Sequence, residues 1–532
     1  MPARIFPVCN EMKLLQIILL IFFLLAGCEN RRSDFHVLKL ALDENPTTLD
    51  PALIIDVSGG SLAAKLFNGL VRVDKKMRVI GDLADSWTIS PDGTVYTFNL
   101  RRDVRFHNGR VLTAGDVRYS FERVLHPETG SSRTWIFEKV KGAKEYSEGK
   151  AARVEGVTVV DDATVRITLK EPFGPFLWVL TMPNAYVVPA EAVEKWGQDF
   201  SQHVVGTGPF KLREWRQDYR IVLAENGDYF ADKPKVKEIE YRIIPDQFSA
   251  FAEYENGNLD IVSIPRSEYR RLMSDRVQAP HIYSQAGLNV YYLGFNCRKK
   301  PFDDPRVRRA FNYAIDRDTI VKTILEERSV PARSVLPPGL SGNEKPESGY
   351  PYDPDMARKL LREAGIPDGF AISLYQNRTK EASHIAEGIQ HYLQRAGIRV
   401  HIVEREWSSY KEALIKGEAD MFFLSWWADY PDAENFFYPN FYSANVGAAG
   451  NKTFFKNSAV DALIEEAQQV SDEARRTACY RKLNEEIFEA APWVFLWHKK
   501  EFVVVQPWVK GYYLYPIYNA DKGTDVSIET VR

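Results

Sequence analysis

The chain has 532 residues, with 69 Lys and Arg against 72 Asp and Glu, for a formal net charge of −3. Without a basic excess there is no electrostatic footprint for a nucleic-acid backbone, so nucleic acid is excluded as an expected partner. The length suggests about three domains and ample chain for a large core.

Lys13 precedes an apolar run over residues 14–26, too short to cross a bilayer as a helix of about 20 residues. It reads as the core of a signal peptide spanning residues 1–27. Met12 is the expected start, because residues 1–11, with Pro2, Pro7 and Glu11, resemble no targeting region; Cys9 is then untranslated. Leu25-Ala26-Gly27-Cys28 resembles a bacterial lipobox, which implies that Cys28 becomes the lipidated first residue. Removing residues 1–27 leaves 505 residues with a net charge of −4. Residues 28–34 read as a polar tether to the membrane. Glu29 stands where many inner-membrane lipoproteins carry aspartate, which points to the outer membrane where the cell has one. Two cysteines remain, and Cys479 shares a helical face with Leu483 and Ile487. It is expected to pack as a small hydrophobe rather than bridge to Cys297, although the compartment permits disulfides.

Further along, "DVSGGS" at 56–61 reads as a flexible entry loop to a helix "LAAKLFNG", with an anion cradle as the weaker reading. Residues 87–101 and 157–169 alternate apolar and polar around "SPDG" and "DDAT", the pattern of β-hairpins. Between them Thr113 and Asp116 have capping-box spacing for a helix. Residues 68–192 thus form a small α+β region. Two distant stretches, 239–264 and 398–424, share one pattern: strand, helix, glycine stop, then Gly-x-x-Asp opening a second strand, at Gly257 and Asp260 and at Gly417 and Asp420. Strands joined through a helix lie parallel in a helix-covered sheet, so two α/β lobes are expected. A further helix over 381–396 carries an apolar stripe at Ile385, Ile389, Tyr392, Leu393 and Ala396, and Gly397 ends it. No short tandem repeat points to a solenoid or propeller.

Catalytic signatures are scarce. The nine histidines make no zinc-binding spacing, and no nucleophile elbow or phosphate loop is present. No metal, cofactor or catalytic residue is expected. Arg378, Lys380 and His384 cluster at the start of the 381–396 helix, where the dipole favours an anion such as a ligand carboxylate; a solvated helix face is the plainer reading. Over 421–442, ten of 22 residues are aromatic, and a lone acid, Asp429, follows Trp426 and Trp427. This is either a core strand with a capped loop or a strand end that carries ligand groups. Two adjacent tryptophans point to opposite faces of a strand, so one of them can be core.

"LDPALIIDVSGGSLAAKLFNGLV", "LADSWTISPDGTVYTFNLRRDVRFHNGRVLTAGDVRYSFERVL", "GTGPFKLREW", "YYLGFNCRKKPFDDPRVRRAFNYAIDRD", "SWWADYPDAENF" and "PWVKGY" resemble, in family order, the peptide-binding members of the family 5 extracellular solute-binding proteins of ABC importers. The resemblance implies an α/β, two-lobed periplasmic-binding-protein fold (type II, Venus-flytrap) with an additional α+β domain. Lobe I would comprise 35–67, 193–287 and 500–532, the extra domain 68–192 and lobe III 288–499. It implies a monomer, lipid-anchored outside the inner membrane, that passes a peptide to permease subunits without catalysis. Asp429 would hold the peptide ammonium, main-chain groups at Ser425, Trp426, Trp427 and Val57 would pair with the peptide backbone, and Trp407 would line the pocket. Phe423 departs from an arginine found in some oligopeptide binders, so Arg378, Lys380 and His384 become candidates for the carboxylate. Other cargoes in the family (oligosaccharide, haem, nickel chelate) stay open, and a secreted hydrolase is the more distant alternative.

Overall fold

The computed structural model describes residues 36–343, 349–447 and 450–529; the signal segment, Cys28 and the tether as far as residue 34 lie outside them. One long strand, Trp493–Val505, organises the molecule. Its sequence, WVFLWHKKEFVVV, is two apolar blocks around Lys499, Lys500 and Glu501. The first block pairs antiparallel with Asn289–Phe295 and its end with Ser329–Pro331. The second pairs with Ile282–Ala286 and Ile261–Ser263. Because side chains alternate across a strand, each block serves two cores: Trp493 and Phe495 enter one, Val494 and Leu496 another. Val503 and Val505 enter a third, Phe502 and Val504 a fourth. The half-buried Lys-Lys-Glu step is where the chain passes between two halves of one twelve-stranded sheet.

Each half carries one of the repeats read in the sequence. In the first, Glu238–Ile243 and Ile261–Ser263, joined through helix Gln247–Glu255, both run parallel to Val37–Leu42, which lies between them. In the second, Ile398–Arg405 and Met421–Trp427, joined through helix Trp407–Lys416, flank Phe370–Asn377 in the same way. Gly257 (φ 74°) and Gly417 (φ 70°) take the left-handed conformation that ends each helix. The repeated aspartates tie the second strand to the middle one. Asp260 accepts from the Lys39 amide at 2.6 Å, and Asp420 from the Ser373 amide at 3.2 Å and its hydroxyl at 2.6 Å.

Both hairpins form within a four-stranded antiparallel sheet of Ala84–Ile89, Val95–Leu100, Thr164–Thr168 and Val157–Asp161. Helix Ala114–Leu125, closed by the Thr113/Asp116 capping box, packs on it and shares its apolar core. The "DVSGGS" segment is not a loop. The helix begins at Val57 and runs to Leu66, with Asp56 capping it by accepting from the Gly59 amide at 2.6 Å. Its glycines answer to packing: a Cβ on Gly60 would lie 2.2 Å from the Tyr518 ring. Cys479 is buried with Leu483 and Ile487, and Cys297 and Cys479 are free thiols. Among the described residues no helix is long and apolar enough to cross a membrane.

Candidate functional site

Strand Met421–Trp427 pairs along its whole length with Asn289–Phe295, but on its other edge meets a strand only at Met421 and Phe422, opposite Leu374 and Tyr375. Which main-chain groups face that open edge follows from the two-residue period of a strand. The Ala428 amide donates to Leu288 O at 2.9 Å, on the paired side. Phe423 O accepts from the Tyr410 hydroxyl at 2.6 Å, on the open side. Ser425 and Trp427 therefore direct their amides and carbonyls to the open edge. Their side chains share a face with Tyr291, which lies opposite Ser425 and meets the Trp427 ring edge-on at 6.5 Å. Trp426 points the other way and packs on the core around Tyr292 and Trp493, with its indole Nε1 sealed from water.

The open edge borders a cavity of about 580 Å³ between the two halves of the sheet. Gln247 and Arg266 contribute from one half; Tyr291, His384, Trp407, Phe423, Ser425 and Trp497 contribute from the other. Thr379, the N-cap of helix Lys380–Arg395, also lines it, so that helix presents its N-terminal end to the space. Burial pushes the Tyr291 hydroxyl up to about 12, keeping it a neutral donor. Among the described residues, the cavity's formal charge comes from Arg266, Arg328 and Lys499 against one carboxylate, Glu381.

Asp429 lies just past the strand end, outside this lining. Its Oδ1 accepts from Arg133 Nη1 at 3.2 Å, and its amide donates to Asn435 Oδ1 at 2.9 Å. Burial raises its pKa, and Arg133 pulls it back only in part. The side chain nevertheless stays 27% exposed. Tyr518 shares the neighbourhood: its hydroxyl is pushed up to about 12, chiefly by burial and then by Asp429, with Asp56 adding to the effect.

Of the residues singled out from sequence, Ser425, Trp407 and His384 meet in the cavity; Trp427 does not line it but packs against Tyr291, which does. Trp407 is 44% exposed there. Val57 stands exposed at the first position of its helix, and Arg378 is exposed with its amide bonded to Arg405 O; neither lines the cavity, nor does Trp426. Sequence reasoning missed Arg133, Arg266, Arg328, Tyr291 and Lys499. Only Lys499 left a trace, as part of the polar break inside an apolar strand.

Residues 78–448 match the bacterial extracellular solute-binding proteins, family 5. The chain belongs to that family. It is 32% identical to Heme-binding protein A of Haemophilus influenzae, covering 94% of each chain. It is 31% identical to the dipeptide-binding protein of Escherichia coli K12, over 89% of this chain and 90% of the other. Among solved structures, the unliganded open form of the murein tripeptide-binding protein MppA superposes with a TM-score of 0.81 at 26% identity, covering 94% and 98% of the two chains. The Helicobacter pylori binding protein DppA in complex with the peptide STSA gives 0.75 at 30% identity, over 93% and 98%. The fold is thus the two-lobed α/β fold of periplasmic binding proteins.

Proposed function

We propose that this chain captures peptides in the cavity between its halves and delivers them to the permease of an ABC importer. The observation that carries this reading is the unpaired edge of residues 423–427 beside that cavity. A receptor for many sequences gains affinity from what all peptides share, the backbone and the charged ends, and an open strand edge offers the backbone a ladder. On this reading Ser425 and Trp427 pair with the cargo backbone and Trp407 and Trp427 cover it; Trp426 anchors the strand in the core, and Val57, exposed at its helix start, adds a main-chain contact once the lobes close. Asp429 takes the ammonium once the lobes close, a population shift driven by contacts made only in the shut form. The separate cores support a division into lobe I (35–67, 193–287, 500–532), an extra domain (68–192) and lobe III (288–499). Cys28 carries the lipid that holds the receptor at the membrane, and the protein acts as a monomer without turnover.

Haem is the second reading, favoured by the likeness to Heme-binding protein A. Calorimetry with trialanine and with hemin separates them. Saturable one-to-one binding of trialanine is expected; binding of hemin alone would overturn peptide capture. Incorporation of a palmitate analogue into the native protein but not into Cys28→Ala tests the anchor.

A further inference from the structure

The cavity holds three cations that, among the described residues, have no ion-pair partner. Among the described residues neither Arg266, Arg328 nor Lys499 has a carboxylate within ion-pair distance, while nearby Arg270 and Arg333 each have one and Arg271 has two. The two arginines are held by main chain instead, each reaching across to the other half of the sheet. The Arg328 guanidinium donates to Ile264 O at 3.0 Å, and that of Arg266 donates to Ile324 O. A guanidinium has five N–H donors, so each keeps several for another acceptor. Arg328 is half-buried between the rings of Tyr269 and Phe502, at 5.7 and 5.5 Å. Burial lowers its pKa, and Arg266 adds to that, while Glu501 and Glu381 oppose it without pairing. Lys499 enters from the crossing strand, opposite Ser329. Three like charges around one space, one of them partly desolvated, raise each other's energy until an anion enters.

We infer that Arg266, Arg328 and Lys499 form a carboxylate-binding site, filled by the C-terminal carboxylate of the cargo. This rests on the peptide reading above and places the cargo's anionic end among residues distinct from Arg378 and Lys380. Arg266 belongs to one half of the sheet and Arg328 to the other, so one carboxylate can accept from both, fork to fork. Its charge also offsets the repulsion between the two guanidinium groups, which ties anion binding to the approach of the lobes.

The test is calorimetry on the full chain with trialanine and trialaninamide, in the native protein and in Arg328→Gln and Arg266→Gln. The free acid is expected to bind at least about thirtyfold tighter than the amide in the native protein, as for a desolvated charge pair that loses one partner. Each variant should shrink that ratio severalfold. Using two variants guards against one failing to fold, and the acid-to-amide ratio in the native protein needs neither. Equal binding of acid and amide overturns the site and leaves peptide capture intact. If neither peptide binds but hemin does, and Arg328→Gln weakens hemin, peptide capture fails and the site survives for propionates. Hemin binding indifferent to both variants, with no peptide bound, overturns both.

Discussion

Arg133 Nη1 lies 3.2 Å from Asp429 Oδ1, joining residues 296 positions apart in the chain. The arginine comes from the small α+β region and the acid from the end of the strand that borders the cavity. In this structure the acid assigned to the cargo ammonium already holds an internal cation. A peptide amine must therefore displace or share it. Both side chains are about a quarter exposed, so the pair is worth about 1 kcal/mol, the upper range for surface pairs. Arg133→Gln is then expected to tighten trialanine binding by about fivefold, read by calorimetry. Weaker binding would mean that Arg133 holds Asp429 in place rather than competing for it.

Asp429→Ala tests the acid directly. A partly desolvated ammonium left without its carboxylate costs about 3 kcal/mol or more, so trialanine affinity should fall at least a hundredfold. N-acetyl-trialanine should bind poorly to the native protein and equally poorly to the variant. A loss below tenfold in Asp429→Ala would remove the residue from ammonium recognition.

Five residues beyond Asp429 lies a buried acid that, among the described residues, has no ion-pair partner. Glu434 is 3% exposed, accepts from the Tyr430 hydroxyl and from Gln468 Nε2 at 2.7 Å, and burial lifts its pKa to about 7. The folded state keeps a proton that the unfolded chain releases near its ordinary value of 4.5. Stability from this group is therefore full below that pH and is lost as pH rises towards 7. The loss amounts to about 3 kcal/mol. His107 and His498, pushed down to about 4 by burial, act with the opposite sign between about 4 and 6.5. The effect must accordingly be read as a difference. Denaturant melts from pH 5 to 8 should show the native protein losing about 2.5 kcal/mol relative to Glu434→Gln, the rest of the loss falling below pH 5. Parallel curves would show that Glu434 does not hold that proton.

The helix that begins at Val57 is fitted to the same neighbourhood through a glycine. A methyl on Gly60 would collide with the Tyr518 ring, and overpacking of this kind costs about 1–3 kcal/mol. Gly60→Ala should lower the unfolding free energy by that amount, and Tyr518→Ala in the same chain should recover most of it. Additive losses in the double variant would mean that the two do not press on each other.

What could be read from sequence was what local physics encodes. The stripe at Ile385, Ile389 and Leu393 is buried because a 3.6-residue period leaves no other face for it. Gly257 and Gly417 mark two copies of one unit because both adopt positive φ. The glycines of 56–61 misled for a tertiary reason. They read as breakers, at about 1 kcal/mol each in a helix, whereas Tyr518 and Thr48 O leave no room for a side chain there. The charges of the cavity were not legible. Arg266, Arg328 and Lys499 sit in unrelated local contexts and converge only because strand Trp493–Val505 pairs with both halves of the sheet. Arg133 meets Asp429 for an equally non-local reason.

The open edge at 423–427 yields the remaining prediction, which does not involve charge. If the cargo extends this sheet, one of its amides donates to a carbonyl at Ser425 or Trp427, and replacing that N–H by N–CH₃ both removes the donor and blocks the approach. A net hydrogen bond contributes about 1 kcal/mol, and a buried acceptor left unpaired costs about 1–3 kcal/mol more. Trialanine N-methylated at its second residue, its termini unchanged, should bind at least about tenfold more weakly than the parent if that amide is the one facing the strand. The same methyl on the third residue reports the alternate position, because neighbouring amides of an extended chain point in opposite directions. One of the two peptides should lose affinity and the other should lose far less. Equal losses would point to steric exclusion from the cavity, and no loss in either would mean that the peptide lies across the strand rather than along it.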